Sequence, residues 1–297
     1  MSVVKGSWLK DGWFRESNPQ WPGQAWSLEV DEVLHDEMSD FQHVVVFRNK
    51  GPWGNVLLLD GCVQVTDKGE FSYHEMMAHV PLMSHPNPQQ VLIIGGGDGG
   101  VMREVVKHPS VVECHLVDID GMVIDVSKKF FPDIACSFAH PKARTTVGDG
   151  FAFLEGKENM FDVIVVDSSD PEGPASQLFG KEFYARLWKA LKPGGLICTQ
   201  AECLWLHLPL IQKMLAFVKE CGFHAVEYGA MLIPFYPNGT LGCLVARKDN
   251  ANEKVSAGPV RAVPEDLQST TKYYTPETHR AIFALPRSVD LALYGKS

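Results

Sequence analysis

Acidic side chains that directly follow short apolar runs are the residues of this sequence with the clearest chemical potential. The run Val-Ile-Val-Val at residues 163–166 is followed by Asp167, Ser168, Ser169 and Asp170. An apolar run of this length predicts a buried strand of a parallel sheet, and open α/β sheets bind ligands beyond the carboxyl ends of such strands. Two carboxylates there could attract a cation or accept a proton. The alternative, a loop of solvated acids, is disfavoured by this position.

A glycine-rich segment at residues 95–100 follows another apolar run and precedes a predicted helix near residues 101–108. The order of strand, Gly-x-Gly-x-x-Gly and helix is typical of a nucleotide-binding turn. Asp98 lies inside this turn, where its negative charge would repel a phosphate group. We therefore expect the turn, including Gly95 and Gly97, to bind a cationic ligand. A glycine turn without a ligand is the alternative.

Three more predicted strand ends carry an acid. Asp118 ends the strand at residues 112–117, about 20 residues beyond the glycine turn, where nucleotide-binding sheets place an acid on the ribose hydroxyls. Asp149, followed by Gly150, closes the next strand, and Glu202 follows the fifth. Each acid alone is also consistent with an ordinary turn. Their common position at one edge of the sheet favours a shared site.

These strand-end motifs together predict an anionic pocket, because none of them contains Lys or Arg. Such a pocket favours a ligand that combines an adenosine-like ribose with several positive charges. A divalent metal is the alternative ligand for clustered carboxylates. However, no pair of His, Asp or Glu recurs at a recognisable ligand spacing. We therefore predict an organic cation and no metal.

Composition disfavours several classes of protein. The 297 residues include 27 Lys and Arg against 36 Asp and Glu, a formal net charge of -9, which argues against a nucleic-acid partner. The seven cysteines form no Cys-x-x-Cys pair, so neither a disulfide framework nor a zinc site is indicated. No segment resembles a signal peptide or a membrane span. We therefore expect a cytoplasmic protein without a membrane partner.

Two patterns divide the chain into a predicted β-rich N-terminal domain, residues 1–84, and a catalytic domain, residues 85–297. The first has four short β-prone runs, with Asp60-Gly61 as a two-residue hairpin turn. The second alternates strands with helices, which indicates an α/β fold with a mostly parallel sheet. We expect a final antiparallel strand pair after residue 224.

Two local features complete this expectation. Pro193-Gly194-Gly195 is predicted to end the helix that precedes the fifth strand, because proline and glycine disfavour helix. Residues 249–270 are polar and are predicted to form a surface excursion.

Several segments of the chain resemble the spermidine synthases, a family of polyamine aminopropyltransferases. These segments are WPGQ at 21–24, EFSY at 70–73, IGGGDGG at 94–100, DSSDP at 167–171 and WLHL at 205–208. The similarity extends over residues 8–286. The resemblance implies a small N-terminal β-domain on a Rossmann-like, methyltransferase-type sheet, and usually a homodimer.

The resemblance also implies a reaction, the transfer of an aminopropyl group from decarboxylated S-adenosylmethionine to putrescine, giving spermidine and 5′-methylthioadenosine. The donor is a co-substrate, so no cofactor is expected. Matching motif positions imply that the donor is bound by Gln42, His74, Gly95, Gly97, Asp98, Asp118, Asp149 and Gly150. They imply that the acceptor is bound by Trp21, Tyr73, Asp167, Ser168, Ser169, Asp170, Glu202 and Tyr236. In this set Asp167 corresponds to the proton acceptor.

The resemblance assigns two residues to the distal end of the diamine. Glu202 is expected to receive the distal ammonium, and Trp21 to close the far end of the slot. Two positions depart from the family pattern, with His74 where Gln is expected and Asp118 where Glu is usual. Histidine can still hydrogen-bond and aspartate can still accept from ribose hydroxyls. We therefore expect activity to be retained.

Other transferases on the same fold are the nearest alternative, for example a spermine synthase or a putrescine N-methyltransferase. A catalytically inactive paralogue that stabilises an active partner is an alternative of a different class. The presence of both Asp98 and Asp167 argues against the inactive paralogue, because such a copy has no chemical need for either carboxylate.

Overall fold

The computed structural model describes residues 8–169, 177–249 and 253–295. The first of its two sheets is antiparallel, and its six strands follow the order of the chain. They are β1 (Leu9–Lys10), β2 (Trp13–Glu16), β3 (Trp26–Met38), β4 (His43–Asn49), β5 (Asn55–Leu59) and β6 (Cys62–Thr66). Asp60 and Gly61 join β5 to β6 with φ of 50° and 80°. Both angles suit a two-residue turn between twisted strands, so the predicted hairpin is confirmed.

The second sheet has seven strands in the order β12-β13-β11-β10-β7-β8-β9. They are β7 (Gln90–Gly95), β8 (Glu113–Asp118), β9 (Ala143–Val147), β10 (Phe161–Asp167), β11 (Leu191–Gln200), β12 (His224–Leu232) and β13 (Thr240–Arg247). Strands β7 to β11 pair in parallel, whereas β13 is antiparallel to both β11 and β12. The predicted α/β fold class and the predicted terminal antiparallel pair are confirmed.

The central parallel strands β7 and β10 are largely apolar because both of their faces are buried. Val163 and Val165 belong to one hydrophobic core, whereas Ile164 and Val166 belong to another. Successive side chains of a strand point to opposite faces, so an uninterrupted apolar run supplies both cores.

Helices connect and cover the strands of the second sheet. They are α1 (Phe71–Met83), α2 (Gly100–Val106), α3 (Gly121–Phe130), α4 (Gly150–Phe153), α5 (Lys181–Ala190), α6 (Leu208–Glu220), α7 (Glu265–Thr270), α8 (Pro276–Ala281) and α9 (Arg287–Tyr294). Within the described residues, no helix has the length and apolar character needed to cross a bilayer.

Helix α1 follows the last strand of the first sheet, and most of its side chains are buried. One of them, Glu75, accepts hydrogen bonds from three consecutive backbone N–H groups, those of Lys272, Tyr273 and Tyr274, each at 2.8 Å. A buried carboxylate that receives three donors is well compensated for its lost hydration. This contact fastens the C-terminal segment to the helix that carries Tyr73.

A polar contact also fixes the first sheet to the second. Ser39 Oγ and Gln42 Nε2 donate to Asp120 Oδ2 at 2.7 and 2.9 Å. The other carboxylate oxygen of Asp120 caps α3 by accepting the N–H of Met122 at 3.0 Å. One acid therefore orders both a helix start and the contact between the sheets.

The structure corrects two local predictions and leaves one open. The helix before β11 ends at Ala190, and Pro193-Gly194-Gly195 lies inside β11, where the pairing with β10 shifts in register. The described part of residues 249–270 is not simply a surface excursion, because Val255 and Leu267 pack in the core. Strands β1 and β2 lack a predicted counterpart. The predicted domain boundary after residue 84 falls between α1 and β7 and stays a prediction.

Candidate active site

A pocket lies beyond the carboxyl ends of the parallel strands. It is next to β7, which has β8 as its neighbour on one side and β10 on the other, so the order of the strands reverses there. Open α/β sheets bind ligands at such a switch point. The pocket brings together most of the predicted site residues, namely Trp21, Gln42, Tyr73, His74, Gly95, Gly97, Asp98, Asp118, Asp149, Gly150, Asp167, Ser168, Ser169 and Tyr236. Glu202 does not line it, and Asp170 lies outside the described residues. The role of each residue stays a prediction.

Asp167 ends β10 deep in this pocket. Tyr73 Oη donates a hydrogen bond to Asp167 Oδ1 at 2.6 Å. The other oxygen, Oδ2, is buried and receives no hydrogen bond from any described residue. Burial, together with the charge of Asp98, raises the pKa of Asp167 to about 7, although His74 and Tyr73 oppose the rise. Oδ2 is therefore a buried acceptor of the kind that a proton-transferring carboxylate provides.

The glycine turn allows the backbone to pass directly against this carboxylate. Gly95 and Gly96 have φ of 81° and 70°, a region that glycine adopts without steric penalty. The N–H of Gly96 donates to the backbone oxygen of Asp167 at 2.8 Å. A Cβ on Gly96 would lie 2.8 Å from Asp167 Oδ2. The absence of side chains at Gly95 and Gly96 therefore leaves room for Asp167.

His74, in the first turn of α1, lies between two carboxylates and packs against Gly100 at the start of α2. Its Nδ1 is 2.6 Å from Glu70 Oε2, and its Nε2 is 3.3 Å from Asp98 Oδ1. Arg103 donates to both oxygens of Glu70, at 3.1 and 2.7 Å. Burial disfavours the charged imidazole, but Asp98 and Glu70 outweigh burial and raise the pKa of His74 to about 10. Asp98 also accepts the N–H of Gly100 at 2.6 Å.

The acids at the ends of β8 and β9 are ordered by backbone donors. Asp118 Oδ2 accepts the N–H of Gly97 at 2.9 Å, and its Oδ1 accepts the N–H of Asp120 at 2.8 Å. Burial raises the pKa of Asp118 to about 6, although these two hydrogen bonds oppose the rise. Asp149 caps α4 by accepting the N–H of Phe151 at 2.8 Å.

The N-terminal sheet and the segment after β12 form the far end of the pocket. Trp21 is 2% exposed, and its Nε1 donates to Glu16 Oε1 at 3.1 Å. The indole meets the ring of Tyr236 edge-on, with 5.3 Å between the ring centroids. Burial raises the pKa of Glu16 to about 7, although the N–H of Val63 and the indole of Trp21 oppose the rise. This end therefore combines an aromatic wall with one carboxylate.

Glu202 is fully buried behind that wall. Tyr236 Oη donates to Glu202 Oε2 at 2.9 Å, and His207 Nδ1 lies 3.0 Å from the same oxygen. Both contacts use Oε2, and Gln200 Nε2 donates to Oε1 at 3.5 Å, so each oxygen of Glu202 already has a protein partner. Glu16, which does line the pocket, is better placed to meet a ligand at this end.

Four polar residues of the site are not assigned a role by the sequence patterns: Glu16, Glu70, Arg103 and Asp120. Glu16 ends the short strand β2, and nothing in its neighbourhood marks it. Glu70 and Arg103 lie beside recognisable motifs, but their pairing joins residues 33 positions apart. Asp120 lies two residues after Asp118, at the end of a strand, and from sequence alone it looks like an ordinary acid of the following turn.

Electrostatically, the pocket suits a cation. None of its described lining residues is Lys or Arg, and His74 is the basic side chain among them. The described residues contain no group of three or more His, Cys, Asp or Glu side chains arranged to hold a metal ion. A glycine turn and strand-end carboxylates at the switch point of an open α/β sheet are the features of a nucleoside-binding enzyme, here one with a cationic ligand.

Comparison with known proteins identifies the family. A model of the spermine/spermidine synthase domain matches residues 70–256, and a model of the spermidine synthase tetramerisation domain matches residues 12–67. The chain belongs to the spermine/spermidine synthase family. The sequence prediction of an aminopropyltransferase of this family is confirmed.

Individual relatives align with this chain along nearly their whole length. The spermidine synthase of Schizosaccharomyces pombe is 51% identical over 278 residues, 94% of this chain and 92% of that protein. The spermidine synthase of Dictyostelium discoideum is 46% identical over 279 residues, 94% and 96% of the two chains. A crystal structure of a spermidine synthase in complex with the transition state analogue AdoDATO is 33% identical. It superposes with a TM-score of 0.87 and covers 96% of this chain and 95% of that one.

Gly100→Ala tests the close packing around His74. A Cβ at this position would collide with the imidazole, which Glu70 and Asp98 hold in place. Overpacking a buried site costs about 1–3 kcal/mol, so the free energy of unfolding in urea should fall by that amount. Gly148→Ala is the matched control, because its Cβ would approach Thr146 Cγ2 at an ordinary 3.9 Å. Equal losses in the two variants would contradict the proposed packing.

Proposed function

We propose that this chain transfers the aminopropyl group of decarboxylated S-adenosylmethionine to putrescine, giving spermidine and 5′-methylthioadenosine. The observation that carries the proposal is Asp167, which has one oxygen fixed by Tyr73 and a second, buried oxygen facing an anionic pocket. An amine that must lose a proton before it attacks needs such an acceptor. The spermidine synthases named above support the same reaction.

The donor occupies the half of the pocket formed by the strand ends. Asp118 accepts the ribose hydroxyls, as acids at this position do in nucleotide-binding sheets, and Gly97 beside it gives the nucleoside access to the backbone. Asp98 attracts the aminopropyl ammonium. Gln42, Asp149 and Gly150 complete the nucleoside site. The support is their common position around the glycine turn and the anionic character of the lining.

The reaction needs one deprotonation and one substitution. The amine of putrescine resembles that of lysine, with a pKa of about 10.4, so it is protonated at neutral pH. Asp167 Oδ2 takes its proton, and the nitrogen lone pair then attacks the methylene carbon bound to the sulfonium. That carbon–sulfur bond breaks, and its electron pair stays on sulfur as the uncharged thioether of 5′-methylthioadenosine. Tyr73 holds Oδ1, which leaves Oδ2 for the amine.

The distal ammonium of putrescine meets Glu16. The carboxylate of Glu16 lines the pocket and is fixed by Trp21, which closes the aromatic end of the slot. We prefer Glu16 to the sequence-predicted Glu202 because Tyr236 and His207 already occupy Glu202. Ser168 and Ser169, which line the pocket, extend the proton-acceptor end of the acceptor site. The sequence prediction that Asp170 also binds the acceptor concerns a residue outside the described ranges.

Assembly and location are part of the same proposal. The match of residues 12–67 to a tetramerisation domain supports a homo-oligomer. We propose that this oligomer is the homodimer predicted from the sequence. We also propose the predicted cytoplasmic location.

One assay tests the donor and the acceptor together. With decarboxylated S-adenosylmethionine and putrescine, the purified protein should produce spermidine and 5′-methylthioadenosine, measured by mass spectrometry. S-adenosylmethionine should be a poor donor, because its carboxylate would be repelled by Asp98. Methylation of putrescine would instead indicate a putrescine N-methyltransferase. A strong preference for spermidine as acceptor would indicate a spermine synthase.

Asp167→Asn tests the base. The variant keeps the size of the side chain but removes the proton acceptor, so kcat should fall by roughly 10²–10⁴. The pKa of Asp167 is raised to about 7, so kcat/KM of the unaltered enzyme should fall as pH drops through that value and the base becomes protonated. Asp162→Asn, at the other end of β10, is the control and should retain kcat. Near-normal turnover of Asp167→Asn at pH 7 would refute this role.

Glu16→Gln tests the distal contact. Loss of one charged hydrogen bond weakens binding by about 1.5–3 kcal/mol, so KM for putrescine should rise roughly tenfold or more, with kcat little changed. Butylamine lacks the distal ammonium, and its kcat/KM should be unaffected by the substitution. Glu202→Gln is the comparison variant. A larger effect on putrescine from Glu202→Gln than from Glu16→Gln would restore the sequence prediction.

A further inference from the structure

The contacts of His74 define its protonation state. Glu70 Oε2 lies 2.6 Å from Nδ1, and Asp98 Oδ1 lies 3.3 Å from Nε2. Ionised carboxylates only accept hydrogen bonds, and a neutral imidazole can donate from one nitrogen only. A neutral ring would therefore turn one nitrogen lone pair toward a carboxylate oxygen. Both contacts are favourable together when both ring nitrogens carry a proton.

Arg103 holds Glu70 in this arrangement. Its two Nη atoms bind the two oxygens of Glu70, and its Nε donates to Glu104 Oε1 at 2.7 Å. Glu70 and Glu104 are both buried, so the guanidinium is fixed between two carboxylates. Burial favours the neutral form of Glu70, but His74 and Arg103 outweigh burial and lower its pKa to about 2. Glu70 is therefore ionised throughout the working pH range.

The positive charge of His74 lies close to the proton acceptor of the reaction. His74 directly follows Tyr73, whose hydroxyl donates to Asp167 at 2.6 Å, and both His74 and Asp167 line the pocket. Burial, Asp98 and Asp118 disfavour a charge on Asp167, whereas His74 and the hydroxyl of Tyr73 favour it. The titratable and charged groups around His74 come from four parts of the fold. They are Glu70 and Tyr73 at the start of α1, Asp98 in the glycine turn, Arg103 on α2 and Asp167 at the end of β10.

We propose that Glu70 and Arg103 are positioning residues that hold His74 as an imidazolium against Asp98, and that this buried charge favours the ionised form of Asp167 at neutral pH. The inference rests on the proposed function, because it explains how the base of that reaction is maintained. Without Glu70, His74 keeps a single carboxylate partner and loses its proton at a lower pH. Without the imidazolium, Asp167 binds a proton more tightly, and activity declines at a higher pH.

The test is the pH profile of kcat/KM for His74→Gln. Loss of a nearby opposite charge displaces a titration by about one pH unit or more, so removal of the imidazolium should move the acid limb to higher pH by at least that amount. Glu70→Gln should instead move the nitrogen-15 titration of His74 to lower pH by a similar amount. In the His74→Gln background, Glu70→Gln should not move the acid limb to higher pH. The substrates titrate identically in all variants, so an unmoved limb in His74→Gln, or an unmoved His74 titration in Glu70→Gln, would overturn the proposal.

Glu104→Gln is the matched control, because Glu104 is also buried and also binds Arg103 but faces His79 and Lys107 rather than His74. In this variant the nitrogen-15 titration of His74 should stay in place, and a displacement equal to that of Glu70→Gln would overturn the proposal. A measurement on the unaltered protein is independent of variant folding. The nitrogen-15 shifts of His74, assigned with His74→Gln, should remain those of an imidazolium up to pH 8, and proton loss below pH 7 would overturn the proposal. Failure of the proposed function can be told apart from failure of this inference, because in the first case the unaltered protein would form no spermidine.

Discussion

The structure depends on holding several carboxylates together at one edge of a sheet whose interior is apolar. Burial disfavours the charges of Asp118 and Asp167, and the nearby charge of Asp98 disfavours both further. The chain compensates with donors at fixed positions, including the N–H groups of Gly97 and Gly100. The glycine turn thus supplies hydrogen bonds as well as space. A cationic ligand adds the remaining compensation, which explains why an anionic pocket is consistent with a stable fold.

The features of this edge that sequence can predict are those encoded within a few consecutive residues. The run at 163–166 must be apolar at every position because it supplies two cores, and its length identifies a parallel strand. Asp118 and Asp167 end parallel strands, and Asp149 lies two residues beyond the end of β9. Parallel strands bring their carboxyl ends to one edge, so knowledge of the strands alone predicts that these acids meet.

Contacts between distant segments have no such local signal. The hydrogen bond from Gln42 to Asp120 joins residues 78 positions apart, and the contact between Val63 and Glu16 spans 47. Short strands such as β2 have too few residues for a periodic pattern, so a buried acid on one of them looks like any surface acid. At Pro193-Gly194-Gly195 a local signal exists but misleads. Its preference for a turn predicts the end of a helix, whereas the structure satisfies it by an irregular pairing of β11 with β10.

In the proposed mechanism, chemistry and acceptor recognition lie on different parts of the fold. Asp167 and Tyr73 are carried by β10 and by the buried helix α1, whereas Glu16 ends β2 of the N-terminal sheet and Trp21 lies between β2 and β3. The distance between the two ends of the slot is therefore set by how that sheet sits on the second one. Polar contacts that help to fix this position include that of Gln42 with Asp120 and the hydrogen bond from Asn55 Nδ2 to the backbone oxygen of Phe130 at 2.8 Å. Apolar side chains of β4 also pack against those of α3. A small movement of the N-terminal sheet would change the length of the slot and leave the proton acceptor unchanged. Selectivity for the acceptor thus depends on the contact between the sheets, whereas deprotonation depends on the strand end.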